Sequence, residues 1–261
     1  MKTNNLKTQF IGLIGLTLVL LFALAVPLQA QARQAALPDA TIRTIIETRL
    51  INEGLLKEGN FVVSVTDGVV TFTGKVDSLA DKLKAAEAVH GVDSVVRLDN
   101  NLVIESEPRS DQAIAADIGQ SIRSYALFDI FDWVDGRVVD GQVTLTGWAR
   151  EPWRKDDYGR RVADVPGVKA LDNQIQVLPV SSFDDHLRAT IARSIYGSSL
   201  FQRYANSALP PIHIIVFNGR VILKGVVATS LERTQAELMA RSRGMAFEVV
   251  NELVLEKEIK R

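Results

Sequence analysis

One spacing pattern occurs three times along this 261-residue chain, and it limits the possible folds more than any other feature. In each copy, a glycine is followed six residues later by a second glycine, and an asparagine comes twenty-six residues after that. The three sets are Gly68, Gly74 and Asn100; Gly141, Gly147 and Asn173; and Gly219, Gly225 and Asn251. This recurrence predicts three repeats of one structural unit, in which these glycines and asparagines have structural roles.

Local signals around each set predict the order helix, strand, turn, strand, helix, strand. Apolar residues recur every four positions before the first glycine, as in Ile42, Ile46 and Leu50, which indicates an amphipathic helix. An Asp-Gly or Asn-Gly dipeptide follows, and such dipeptides favour a two-residue hairpin. Three residues before the helical apolar set stands an N-cap or first-turn acid. These acids are Asp39, Asp111 and Asp184.

The predicted fold class is therefore α+β, with three tandem αββαβ repeats. Two helices pack on one face of a three-stranded mixed sheet in each repeat, and the other sheet face is left uncovered. The predicted boundaries are a signal peptide over residues 1–32 and repeats over residues 38–106, 110–179 and 183–258.

The repeated pattern resembles the BON domain. The resemblance is carried by VSVTDGVVTFTGKV, VVDGQVTLTGWA and IIVFNGRVILKGVV with their downstream strands, and it covers about residues 38–257. The third copy departs most, since Gly244 lacks a following valine and SSLFQRYANSALPP is inserted after its first helix. The resemblance implies an αββαβ fold, a non-catalytic role, and association with the periplasm and with phospholipid membranes. It also implies chaperone-like activity or ion binding for some members.

The first thirty-two residues have the organisation of a secretory signal. Lys2 and Lys7 precede an apolar run over residues 10–28, and Ala30 and Ala32 form an Ala-x-Ala cleavage pattern. We expect cleavage after one of these alanines and a periplasmic mature protein. The alternative is an uncleaved inner-membrane anchor, because the apolar run approaches the length of a membrane span.

Composition and motifs exclude several function classes. The chain has no cysteine, which removes disulfides, thiol nucleophiles and thiolate metal sites. Its formal charge of −1 disfavours a dedicated nucleic-acid binder. The sequence contains no nucleophile elbow, P-loop or zinc-protease motif. The prediction is a protein that is not an enzyme and has no cofactor, metal or nucleic-acid partner.

Two of the three tryptophans fall on the predicted uncovered face of repeat two. Strand parity places Trp133 and Trp148 opposite the helix-facing residues. Counting from the second glycine of the repeat predicts that Trp153 is instead a core residue at the start of a helix.

The uncovered face of repeat three is mostly apolar, whereas that of repeat one is polar. In repeat three it presents Ile215, Phe217, Ile222 and Val226, followed by Val250 and Val254. Because a monomer rarely leaves such a patch wet, we expect repeats two and three to dock face to face, with Trp133, Val139 and Trp148 as the cover. The alternative is that this face binds a second copy of the chain, a partner or lipid.

Two functions remain open from the sequence. One is association with membrane phospholipid or envelope surfaces, and the other is chaperone-like binding of apolar segments of exported proteins. Repeat three, from residue 184 to the end, carries 11 basic and 8 acidic side chains, a net charge of +3. Repeats one and two are each at −3, so an anionic surface would be met by repeat three. The expected partners are a membrane surface or an envelope protein, with self-association through the repeat-three sheet face as a further possibility.

Overall fold

Each repeat consists of a helix, a hairpin, a second helix and a return strand in this computed structural model, which describes residues 36–56, 61–243 and 245–259. Repeat one contains α1 (Asp39–Asn52), β1 (Phe61–Thr66), β2 (Val69–Val76), α2 (Leu79–Glu87) and β3 (Arg97–Ile104). Repeat two contains α3 (Asp111–Arg123), β4 (Trp133–Val139), β5 (Gln142–Ala149), α4 (Pro152–Ala163), β6 (Ala170–Asn173) and β7 (Gln176–Val177). The predicted signal peptide lies outside the described residues.

Repeat three has the same order with one insertion. It contains α5 (Ser182–Tyr196), a 3-10 helix (Ser199–Phe201), α6 (Gln202–Ala205), β8 (Ile212–Phe217), β9 (Arg220–Val227), α7 (Ser230–Arg243), β10 (Glu248–Leu255) and α8 (Glu256–Ile259). The inserted sequence thus forms the 3-10 helix and α6 between the first helix and the hairpin.

The three sheets share one topology. In each repeat the hairpin strands are antiparallel, and the return strand lies parallel to the second hairpin strand, which is therefore central. The predicted α+β class with three tandem αββαβ units is confirmed. One difference is that the return strand of repeat two is split into β6 and β7, which both pair with β5.

The first helix of each repeat is tied to the hairpin turn by its leading aspartate. In repeat one, the two carboxylate oxygens of Asp39 accept hydrogen bonds from the backbone N–H groups of Asp67 and Gly68, at 2.8 and 3.0 Å. Both turn residues have positive φ, 51° and 75°, as a type I′ turn requires. Asp111 and Asp184 bind their own turns in the same way. The sequence predicted acids at the helix starts but not this second role.

The three asparagines link the second helix to the return strand. The Asn173 side chain donates to the carbonyl of Lys155 in α4 at 2.9 Å and accepts from the N–H of Ile175 at 3.2 Å. Asn100 and Asn251 make the equivalent pair of bonds in their own repeats. These amides therefore satisfy backbone groups of two elements at once.

The second glycine of each repeat has a positive φ, and in repeats two and three the neighbouring backbone leaves no room for a side chain there. Gly147 has φ 121°, and a Cβ at this position would lie 2.0 Å from the carbonyl oxygen of Trp133. At Gly225 the same atom would lie 1.8 Å from the Pro211 oxygen. Strand parity predicts that a side chain at this position would meet the helices. In repeats two and three it would instead meet the backbone at the start of the first hairpin strand.

Each repeat has its own apolar core between its helices and its sheet. Ile42, Ile46 and Leu50 of α1 are fully buried, as their spacing predicts. The prediction that Trp153 is a core residue is wrong, because its side chain is 45% exposed. It is the second residue of α4 and points outward, and the guanidinium of Arg154 lies 5.3 Å from its ring.

Repeats one and two are joined through helices. Leu79 and Ala80 of α2 belong to the same buried cluster as the core of repeat two, and α2 contacts α4. Ile104, at the end of β3, packs against both cores. Among the described residues, no helix has both the length and the apolar character needed to cross a bilayer.

Candidate functional site

Repeats two and three meet through the sheet faces that their helices leave uncovered. The residues between them, here called the interface cluster, are the buried Leu178, Ile215 and Ile222 with Trp133, Trp148, Phe217 and Val250 packed against them. The indole of Trp148 stacks on the ring of Phe217, with centroids 6.4 Å apart and planes at 21°. The structure therefore joins the tryptophan face of repeat two to the apolar face of repeat three.

A lysine of repeat three reaches both interface tryptophans. The ammonium group of Lys224 lies 5.7 Å from the ring centroid of Trp133 and 5.5 Å from that of Trp148. The same ammonium forms an ion pair with Glu252 at 2.5 Å. Because it is only partly exposed, this cation strengthens the contact with the aromatic faces more than a solvated one would.

The loop before β4 adds polar contacts along the edge of β8. The N–H of Ile214 donates to the carbonyl oxygen of Ile130 at 2.7 Å. At the next position, His213 Nδ1 lies 2.6 Å from the backbone oxygen of Asp132, and because a carbonyl only accepts, the imidazole donates. The His213 ring lies between Phe128 and Trp133, with centroid distances of 5.3 and 5.2 Å. These contacts cover an edge strand that would otherwise present unpaired backbone groups.

The side chain of Asp132 holds that loop in place. Its carboxylate is fully buried and accepts bonds from Arg154 Nη1 at 2.6 Å, from the Tyr158 hydroxyl at 2.7 Å and from the N–H of Arg150 at 2.7 Å. Burial, with the charge of Asp132 and the bond to it, raises the pKa of Tyr158 well above its usual range. The network thus fixes the position of the loop before β4.

Some predicted members of this surface lie elsewhere. Val226 is half-buried and Val254 is exposed, and neither belongs to the interface cluster. The expectation that Val139 covers the repeat-three face is wrong, because Val139 lies at the far end of β4 and is exposed. Leu178 takes that role instead, immediately after β7.

A second surface, here called the tip, consists of Phe183, Met245 and Phe247 of repeat three. The Phe183 and Phe247 rings stack at 6.1 Å with planes at 21°. They remain exposed, by 41% and 84%, and Met245 by 78%. The Phe247 ring also lies against the hairpin turn, where a Cβ on Gly219 would come within 2.4 Å of it. Adjacent large apolar side chains with this degree of exposure are typical of an interaction surface.

Structural equivalence shows that the tip is particular to repeat three. The N–H of Phe247 bonds to the carbonyl of Gly219, and Val96 and Lys169 make the same bond in repeats one and two. Met245 has φ 52°, and the residues two positions before those bonds in the other repeats, Ser94 and Gly167, also have positive φ. Repeat three therefore carries methionine where its neighbours carry serine or glycine. The sequence missed this site because the preceding loop differs in length in every copy.

Neither surface has the make-up of a catalytic or metal centre. Over the part of the chain that the structure describes, no group of three or more histidine and acidic side chains could hold a metal ion. A cleft of about 960 Å³ lies where α1 and α2 face α4, but its walls alternate in charge, as with Arg49, Glu53, Lys84 and Asp156. Such walls favour no single class of ligand.

Comparison with known structures identifies proteins of type III secretion. A structure of the C-terminal domain of CdsD, a structural protein of the type III secretion system of Chlamydia trachomatis, is 14% identical over 84% of this chain and 99% of that chain, with a TM-score of 0.23. A second CdsD structure is 15% identical over 83% and 94%, also at 0.23. No curated protein sequence matches this chain.

The family model of the BON domain matches the chain three times, over residues 38–106, 110–179 and 184–257. These matches cover most of the chain and coincide with the three αββαβ units of the structure. Proteins with this domain are associated with membranes and the cell envelope and are generally non-catalytic. The chain thus belongs to the BON domain family, with three tandem copies of the domain.

Proposed function

We propose that this protein is a non-catalytic periplasmic protein that associates with phospholipid surfaces, and that the tip of repeat three makes the contact. The observation that carries the proposal is the stacked and exposed pair Phe183 and Phe247 beside the exposed Met245. Aromatic and long apolar side chains at the end of a rigid sheet can enter the headgroup region while the polar body stays in water.

Charge supports an anionic surface as the target. Repeat three has a net charge of +3, against −3 for each of the other repeats. Anionic lipid would therefore attract this end of the molecule and repel the other repeats, which orients the tip toward the bilayer. The attraction should weaken as the salt concentration rises, because mobile ions screen exposed charges.

The competing role, chaperone-like binding of apolar segments, depends on a free apolar sheet face. Repeat two covers that face, so Ile215 and Ile222 are buried. The tip is too small to hold an extended client segment. Surface association therefore fits the geometry better than client binding.

Vesicle co-sedimentation of the full chain tests the proposal. We expect binding to vesicles that contain phosphatidylglycerol, weaker binding to phosphatidylcholine, and release by salt. Replacing both rings, with Phe183→Ser and Phe247→Ser together, should lower binding more than tenfold, since burying two such rings contributes roughly 2–4 kcal/mol.

The matched control is Val96→Ser in repeat one. Val96 is equivalent to Phe247 and is 76% exposed. Its replacement therefore removes an exposed apolar side chain from repeat one, which is not proposed to contact the membrane. Equal losses in the double variant and in this control would reject the tip as the contact. Equal binding to both vesicle types at low and high salt would reject the electrostatic part.

Export is part of the same proposal and rests on the sequence of residues 1–32. The mass of the protein recovered from a periplasmic fraction should correspond to a chain that begins near Gln31 or Arg33. A full-length mass in the membrane fraction would indicate the uncleaved anchor instead.

A further inference from the structure

The strongest remaining feature is a buried histidine between repeats two and three. His213 is 5% exposed, whereas His90 and His186 lie at the surface. It faces the second repeat from β8, and its hydrogen bond to the backbone of Asp132 joins two residues 81 positions apart. A titratable group thus lies inside the contact that holds the two repeats together.

We propose that protonation of His213 opens the contact between repeats two and three and exposes the interface cluster. The contact is a latch: closed when the imidazole is neutral and released in mild acid. This goes beyond association with a membrane, and it concerns a different surface from the tip.

The carboxylates around His213 are already paired. Asp132 is bound by Arg154, Tyr158 and the Arg150 backbone. Asp129 has ion pairs with Arg154 at 3.1 Å and with Arg150 at 3.5 Å. An imidazolium would find negative charge nearby, but each carboxylate is held by an arginine.

The groups on the repeat-three side add a positive charge. Lys224 is the cross-strand partner of His213 and lies on the same sheet face, and its ammonium is shared between the two tryptophan rings and Glu252. A proton on His213 would place two cations side by side in a mostly apolar contact. The remaining neighbours, Phe128 and Trp133, offer ring contacts and no anion.

The direction of the pH effect follows from these surroundings. Burial lowers the pKa of His213 below the ordinary 6.5, against the opposing influence of the backbone carbonyls of Asp132 and Asp129 and of the two aspartate carboxylates. In the open state the ring meets water and the pKa returns toward that ordinary value. The open state then binds more protons, so the closed contact is fully stable above about pH 6.5 and weakens as the pH falls below it.

Opening would expose a large apolar surface from both repeats. Ile215, Ile222 and Leu178 are buried in the closed form, and Trp148 and Phe217 are stacked on each other. The individual repeats would persist, because each has its own core and its own turn and asparagine links.

An acid titration of the full chain tests the latch. We expect a red shift of tryptophan emission and binding of an apolar dye as the pH falls from about 8 to about 5, with unchanged far-ultraviolet circular dichroism. Protection from hydrogen exchange, taken relative to the intrinsic rate at each pH, should fall at residues 129–133 and 212–217 over the same range, while protection in β2 of repeat one stays high. His213→Gln, which keeps a donor for the Asp132 carbonyl but cannot gain a proton, should abolish the pH dependence.

The control is the double variant His90→Gln and His186→Gln, which should titrate like the unsubstituted protein. An unchanged transition in His213→Gln would overturn the proposal. So would loss of secondary structure together with the emission change, or unchanged protection from exchange at residues 129–133 and 212–217 in the unsubstituted chain. The exchange measurement does not depend on any variant folding.

Discussion

Repeats one and three have the same skeleton, yet their outer sheet faces are opposite in character. The turns, the leading aspartates and the asparagines make equivalent bonds in both. On the outer face, however, repeat one has the exposed Ser64 where repeat three has the buried Ile215, by register with the second hairpin strand. One set of residues therefore specifies the fold, and an independent set specifies whether that fold binds a neighbour.

The comparison separates two kinds of constraint. Skeleton residues satisfy backbone groups or fit strained backbone, so the same residue type recurs in every copy. The residue types on the outer face depend on the environment of that face. This environment is solvent for repeat one and the tryptophans of repeat two for repeat three. Mutation of a skeleton residue should therefore lower stability by a similar amount in every repeat, whereas mutation of an outer-face residue should have different effects in different repeats.

The largest expected effect concerns the skeleton. Gly225→Val and Gly74→Val should each reduce the free energy of unfolding of their own repeat by about 5 kcal/mol, because φ is 113° and 128° there, a conformation that a β-branched residue rarely adopts. Chemical unfolding followed by circular dichroism measures the loss. Gly136→Ala is the control, since its Cβ would meet nothing closer than 3.5 Å. A marked difference between the losses of unfolding free energy in Gly74→Val and Gly225→Val would contradict the claim of a shared skeleton.

The next effect should differ between the repeats. Ile215→Asp places a charge in the closed interface and should reduce the free energy of unfolding by about 3 kcal/mol. Ser64→Asp, at the equivalent exposed position, should change it by less than about 0.5 kcal/mol. Urea unfolding followed by circular dichroism measures both. Similar values for the two variants would mean that the outer faces do not differ in the way described.

The smallest effect concerns the asparagine links. Asn100→Ala and Asn251→Ala each remove one hydrogen bond to a carbonyl of the second helix and one from an N–H of the return strand, and Asn251→Ala also removes a bond to Glu237. Each variant should cost about 1–2 kcal/mol. Asn101→Ala, at the next and exposed position, serves as the control. Thermal melting of the three variants compares them. A loss for Asn101→Ala as large as the others would argue against the specific links.

The sequence predicted the skeleton well and the surfaces less well. Identical spacings reveal turns and asparagines, since each bond they make lies within one repeat. Strand parity placed Trp133 and Trp148 on the outer face, where the structure has them. Parity carries no information on the lateral offset between two sheets, and for this reason Val139 was expected in the contact in place of Leu178.

Two further differences have separate causes. Trp153 aligns with Leu231, and its apolar character predicts a core position. Both residues are instead the second residue of their helix and both are exposed, by 45% and 58%. Loops of unequal length account for the tip. Phe247 lies three positions after Gly244, whereas Val96 lies five positions after Gly91 and Lys169 two positions after Gly167. Equivalence at the tip is visible only through the backbone bond to the hairpin turn.

The aspartate link between the first helix and the hairpin has a consequence for the order of folding. It closes a loop of 28 to 35 residues in each copy, whereas the contact between repeats two and three joins residues 81 apart. Because short loops lose less entropy on closure, each repeat can complete its own loop before the long-range contact forms. The chain is thus built to fold hierarchically, with modules first and their assembly second.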